Sequence, residues 1–380
     1  MDLKTLYCLN DARGNFTTKD GQDDDKIFGE KTLKVLLERM LSEAQVAEKP
    51  PRAMILGQNG LGKTKHLRYL EAKVKQDNLP FHVTRFKVGS YESKSKFNVL
   101  HNRMLTAFGL TLFTDKIRRQ IRSDMNWFDA VRLPENVRHA FHQMATSSNP
   151  VQIDLAVQFL RGEVLKASLP GKLGVSLPSL EEGDDYASVL QVLADVVKLQ
   201  DNKMLLFCMD ELEYVQYVNN QDAYVNWRDG LRNLLDVKQA GFIFTIAAQS
   251  MDQIAKVMRE PDIVRRIATN NYHKLPAYKP SDTQQFFREL LACFVDQTKL
   301  AQLETAKNLT QIPGYSRATF PFTEDALEGY CRWIHKKDSE AKPSEFEFRL
   351  DETASAACLQ GIQIIDTPFL KGRNEYRDEE

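Results

Sequence analysis

Two stretches of this chain place chemically active residue types at spacings that chemistry uses. Gly57-Gln58-Asn59-Gly60-Leu61-Gly62-Lys63-Thr64 fits G-x-x-x-x-G-K-[ST]. Glycines there let backbone N–H groups close around a phosphate chain at the positive end of a following helix. Lys63 would neutralise the β- and γ-phosphates, and Thr64 would offer its hydroxyl to Mg²⁺. The second stretch, Leu205-Leu206-Phe207-Cys208-Met209-Asp210-Glu211, is an apolar run ending in two adjacent carboxylates. Asp210 suits Mg²⁺ held through water, and Glu211 suits a general base that polarises an attacking water. Singly, each has a plain alternative, a Gly-rich turn or a solvated strand end. Together they imply a bound nucleoside triphosphate and its hydrolysis.

The elements around them are those such residues require. Arg52–Leu56 is a short apolar strand ahead of the loop, and Lys65–Val74 is amphipathic, with Leu67 and Leu70 inward. Further strands are expected at His82–Val88, Met204–Met209, Gly241–Ala248 and near Asn271–Leu275, with a helix over Tyr224–Leu235. Strands alternating with helices indicate an α/β fold with a parallel sheet covered on both faces. Residues 1–27, with DGQDDDK, read as a flexible or partner-docked N-terminal arm. Residues 28–278 read as the nucleotide-binding core, opening on a helical segment that Pro50-Pro51 ends. A helical insertion occupies about 110–197, with a structured loop at 168–186. Helices over 279–365 form a C-terminal lid, and 366–380 is a polar tail.

Other residues are candidates in context. Gln249, or second Ser250, ends the strand GFIFTIAAQS and suits a γ-phosphate reader; the plain alternative is a turn. Arg265 and Arg266, in EPDIVRRI, could reach a neighbouring subunit's γ-phosphate, since a guanidinium grips phosphate oxygens bidentately. The sequence does not choose between them, nor exclude that both solvate a helix end. Lys116, Arg118, Arg119, Arg122 and Arg161 could meet nucleic acid or a protein, although such charge runs are usually solvated faces. Trp127, Trp227 and Trp333 read as packing groups; Tyr214 and Tyr217 follow the carboxylates and read first as core or surface packing, with packing near the base as the alternative.

Composition narrows the classes. The net charge of −1 supplies no global field toward DNA or an anionic membrane, so DNA contact would need a local patch. Five scattered cysteines without C-x-x-C spacing suggest reduced thiols and no zinc site, and no run of apolar residues is long enough to span a bilayer. A cytoplasmic protein is expected.

The order of phosphate loop, second strand, Asp-Glu pair, polar strand end, arginine pair and helical lid resembles an AAA+ P-loop ATPase. IFGEKTLKVLLERML and LPAYKPSDTQQFFRELL are similar to the entry segment and lid start of the origin-recognition clade. FLRGE, LPGKLGV and YASVLQVLADVVKLQDNKMLLFCMDELEYV resemble ATP-binding proteins of bacterial BREX-type phage-defence systems. The resemblance implies ATP and Mg²⁺ as cofactors, self-association and an effector protein partner. Two departures stand out: Ser344 occupies the expected position of a lid arginine, with Arg349 displaced, and little chain follows the lid.

Overall fold

The computed structural model describes residues 2–375 apart from 12, 14, 19–22, 30, 268–270 and 338–341. By its contacts the chain forms two compact units. One comprises Leu36–Gln58 and Leu70–Leu275; the other comprises Met1–Val35, Asn59–Tyr69 and Pro276–Glu380.

The first unit is built on a five-stranded sheet among the described residues. Its strands are β1 Arg52–Leu56, β2 Phe81–Lys87, β3 Met204–Asp210, β4 Ala240–Ile246 and β5 Tyr272–Lys274, in the order β2-β3-β4-β1-β5. Every neighbouring pair is parallel. Strands β3 and β4 are buried along their whole length, which explains why they read as apolar runs and not as alternating patterns. Because all strands point the same way, β1 enters the glycine loop at the edge where β3 delivers Asp210 and β2 delivers Lys87. That carboxyl edge is where open α/β sheets take ligands. Strand β4 ends at Ile246, two residues before the end expected at Ala248, because the Ala247 N–H turns to the Glu213 carboxylate at 3.0 Å.

Between β2 and β3 the chain is helical. Leu110–Ser123 buries Phe113, Ile117 and Ile121, a four-residue spacing that turns one face inward. The expected loop at 168–186 contains a short helix, Pro170–Leu173, and runs into the long helix Gly183–Asp201. The Asp185 carboxylate accepts the Glu182 N–H at 3.2 Å and so caps the start of that helix.

In the second unit, the stretch read as a flexible arm packs onto the C-terminal helices in its described residues. Tyr7 Oη donates to the Ile362 carbonyl at 2.9 Å, Leu9 bridges Val295, and Thr18 binds Glu347 through both its N–H and its hydroxyl. Arg13 and Asp23 form a buried bidentate ion pair. The difference from expectation is long-range: Ile362, Val295 and Glu347 lie more than 250 residues from the arm residues they meet, which local polarity does not record. Arm residues 19–22 and tail residues 376–380 lie outside the described residues, while Thr367–Glu375 of the tail is helical. No helix among the described residues is long and apolar enough to cross a membrane.

Candidate functional site

The glycine loop carries the backbone its sequence requires. Gly60 and Gly62 adopt φ of 86° and 89°, a region where a side chain would collide with the chain itself. Helix Lys63–Gln76 starts directly after them, with Lys63 and Thr64 in its first turn. The first N–H groups of a helix have no partner within it, so a loop of this kind ends on a cluster of donors with a positive dipole. His66 Nδ1 lies 3.0 Å from the Gly62 carbonyl as donor, fixing the orientation of that peptide. Lys65 fastens the same turn to the Asp23 carbonyl, within one unit. Lys63 is buried.

At the sheet edge, Asp210 ends β3 with 1% of its surface exposed. The Thr245 hydroxyl on β4 donates to Asp210 Oδ1 and accepts the Glu211 N–H at 3.3 Å. Glu211 is left-handed (φ 63°, ψ 43°), which costs a non-glycine residue about 1–2 kcal/mol and turns its side chain out of the strand direction. Its carboxylate meets Lys87 Nζ at 2.6 Å, and this pair raises the Lys87 pKa. Side-chain exposures of 65% for Lys87 and 31% for Glu211 make the ion pair weak and exchangeable.

The remaining candidates separate by what they touch. Gln249 lies past the end of β4, exposed, with its N–H on Gln253 Oε1 at 2.7 Å. Ser250 lies beside Asp252 and holds that carboxyl below its ordinary pKa. Arg266 binds both Asp236 carboxylate oxygens at 2.9 Å, and this contact raises its pKa. Arg265 is exposed, and no hydrogen bond or ion pair ties it to the described residues. Lys116 pairs with Asp201; Arg118 and Arg122 donate to the carbonyls of Met144, Ala145 and Ser147. Arg161 grips Asn102 and Glu163. Trp227 is buried with Nε1 on the Ser95 carbonyl, Trp127 packs on the core, and Trp333 stacks on Tyr330. Tyr214 and Tyr217 lie ring to ring at 6.2 Å. In the C-terminal unit Arg349 lies over the Trp333 ring; the Ser344 side chain is outside the described residues.

Three residues of this edge escaped sequence reasoning: Lys87, Glu213 and Thr245. Only Thr245 left a trace, as the one hydroxyl inside the apolar run of β4, which a buried polar group must justify with a partner. Lys87 and Glu213 look like ordinary surface charges until the register is known.

The donor chemistry fits Mg²⁺. Asp210 and Thr64 are hard oxygen donors, and among the described residues no group of three or more His, Cys, Asp and Glu forms a closed metal cage. Mg²⁺ keeps several waters and binds through one or two protein oxygens plus substrate phosphates, so no such cage is needed.

No protein-family model and no curated protein matches the sequence. Solved structures do match the fold. The Aeropyrum pernix ORC2 protein, in its ADPNP–ADP complexes, aligns at a TM-score of 0.50 and 12% identity, covering 93% of this chain and 70% of that one. The A. pernix ORC1 protein in complex with DNA aligns at a TM-score of 0.46 and 12% identity, covering 99% and 69%. The fold is that of the AAA+ P-loop NTPases.

Proposed function

We propose that this protein is an ATP-binding and ATP-hydrolysing AAA+ protein that works in a multisubunit assembly. One observation carries the proposal: β1 enters the glycine loop at the same sheet edge where β3 presents Asp210 and Glu211, tied to β4 by Thr245. In this reading Gly57 to Thr64 hold the triphosphate. Lys63 would neutralise its charge, and Thr64 and Asp210 would hold Mg²⁺, which would supply electrostatic stabilisation of the transferred phosphoryl group. Glu211, once Lys87 lets go, accepts a proton from the attacking water. Arg265, exposed and without a partner among the described residues, is the arginine offered to a neighbouring subunit; Arg266 is spent on Asp236.

The resemblance to BREX-type ATP-binding proteins supports a role in bacterial phage defence or mobile-element control, with an effector partner, in the cytoplasm. A DNA-loading role like that of transposon target selection gains little, because most of the basic helix is engaged within the chain. A second reading is a nucleotide-dependent switch with little turnover. Two observations favour it: Lys87 holds the Glu211 carboxylate, and Arg349 is stacked on Trp333.

ATP hydrolysis per subunit, followed across a dilution series with Glu211→Gln as the blank, tests these readings. A rate that rises with protein concentration supports shared sites, and the blank should lie at least about a hundredfold lower. Tight ATP binding at a rate equal to the blank supports the switch. No ATP binding by the parent chain would sink both.

A further inference from the structure

We propose that Thr245 is a positioning residue that sets both carboxylates of the sheet edge, a role that rests on the nucleotide reading above. A hydroxyl has one proton to give and lone pairs to accept, and Thr245 spends them on two consecutive residues of the neighbouring strand. Its proton goes to Asp210 Oδ1, and its lone pair takes the N–H of Glu211. The register explains how one side chain reaches both. Met209 lies opposite Phe244, so the next step along the two parallel strands brings Asp210 level with Thr245.

Nothing else about the position calls for a hydroxyl. Thr245 is fully buried, β4 is otherwise apolar, and its partner on β1 is Ile55. Valine would fill the same space, and packing alone would prefer it. The hydroxyl removes two freedoms instead. Asp210 is nearly without solvent, so no water can replace this donor and its loss leaves the carboxylate less firmly oriented. Glu211 sits in a left-handed turn, and without an acceptor for its N–H that peptide loses a tie that holds it there. Glu213, which takes the Ala247 N–H, fastens the same two segments a second time, so the strand pair stays in register when the Thr245 hydroxyl is removed.

The test is the Mn²⁺ affinity of the full chain in the presence of ATP, read from the free-Mn²⁺ resonance, together with melting temperature. T245V keeps the shape and deletes the hydroxyl; T245S keeps the hydroxyl and deletes the methyl. We expect T245V to bind Mn²⁺–ATP about tenfold more weakly, with T245S within about threefold of the parent. A packing role gives the reverse order. In an Asp210→Asn background T245V should add nothing further, because the two residues act as one unit. Parent-like Mn²⁺ affinity in T245V, loss in T245S equal to that in T245V, or full additivity with Asp210→Asn overturns the proposal alone. A parent chain that takes up no Mn²⁺ with ATP overturns the nucleotide reading and this proposal together.

Discussion

The carboxyl edge of the sheet and the basic helix Leu110–Ser123 both concentrate charge, yet they use it in opposite ways. On the helix, Arg118 and Arg122 face the carbonyls of Met144, Ala145 and Ser147, where helix Glu135–Thr146 ends. The last carbonyls of a helix have no internal partners and lie at its negative pole, so a guanidinium there serves the fold. Lys116 is consumed by Asp201. At the sheet edge Glu211 meets an exposed, exchangeable partner in Lys87 and is held in a backbone conformation that its own residue type disfavours. Charge that is hydrogen-bonded to helix-end carbonyls serves the fold; charge held in strained or weakly paired geometry is the kind that chemistry can use.

The sharpest way to break this distinction lies in the arginine pair. Arg265→Ala should lower ATP turnover about a thousandfold at an unchanged melting temperature. Arg266→Ala should instead lower the melting temperature, since it frees Asp236. Equal effects of the two on turnover would erase the contrast. Next in size, Arg118→Ala combined with Arg122→Ala should cost about 2–4 kcal/mol of unfolding free energy in urea. Turnover per folded subunit and retention on duplex DNA should not change; weaker DNA binding at full stability would show the basic helix to be an interface after all.

His101 extends the comparison to pH. It is fully buried in the helix Asn98–Phe108, with Nε2 2.8 Å from the Leu160 carbonyl, and burial lowers its pKa to about 4. The unfolded chain takes up this proton near 6.5 and the folded chain only near 4. Stability from this group is therefore complete above 6.5 and lost as pH falls toward 4, by about 3 kcal/mol. Urea melts at pH 7 and pH 4.5 should show this loss in the parent and a flatter dependence in His101→Gln. The smallest effect is expected at Lys87. Lys87→Ala releases the Glu211 carboxylate, and basal turnover should rise a few-fold, on the order of 0.5–1 kcal/mol for an exposed pair. A fall would mean that Lys87 itself contacts the reacting phosphates.

Much of the fold was legible because it rests on local pattern. The apolar runs at 204–210 and 240–246 announced buried strands, and the helix after Lys63 followed from its periodicity. Strand ends were less legible: Ala247 leaves β4 for a carboxylate 34 residues earlier in the chain. The packing of the N-terminal arm was not legible for the same reason, since Tyr7 and Thr18 find their partners near residue 350.

By itself the sequence determined the phosphate loop, the paired carboxylates and the strands that carry them, because each depends on residues adjacent in the chain. Tertiary structure alone decided which charges are free. It set Thr245 against Asp210 and Lys87 against Glu211, tied Arg266 to Asp236 and left Arg265 exposed. The physical reason is register. Parallel strands bring together residues 35 and 124 positions apart, and no short-range pattern records which neighbours a sheet will align.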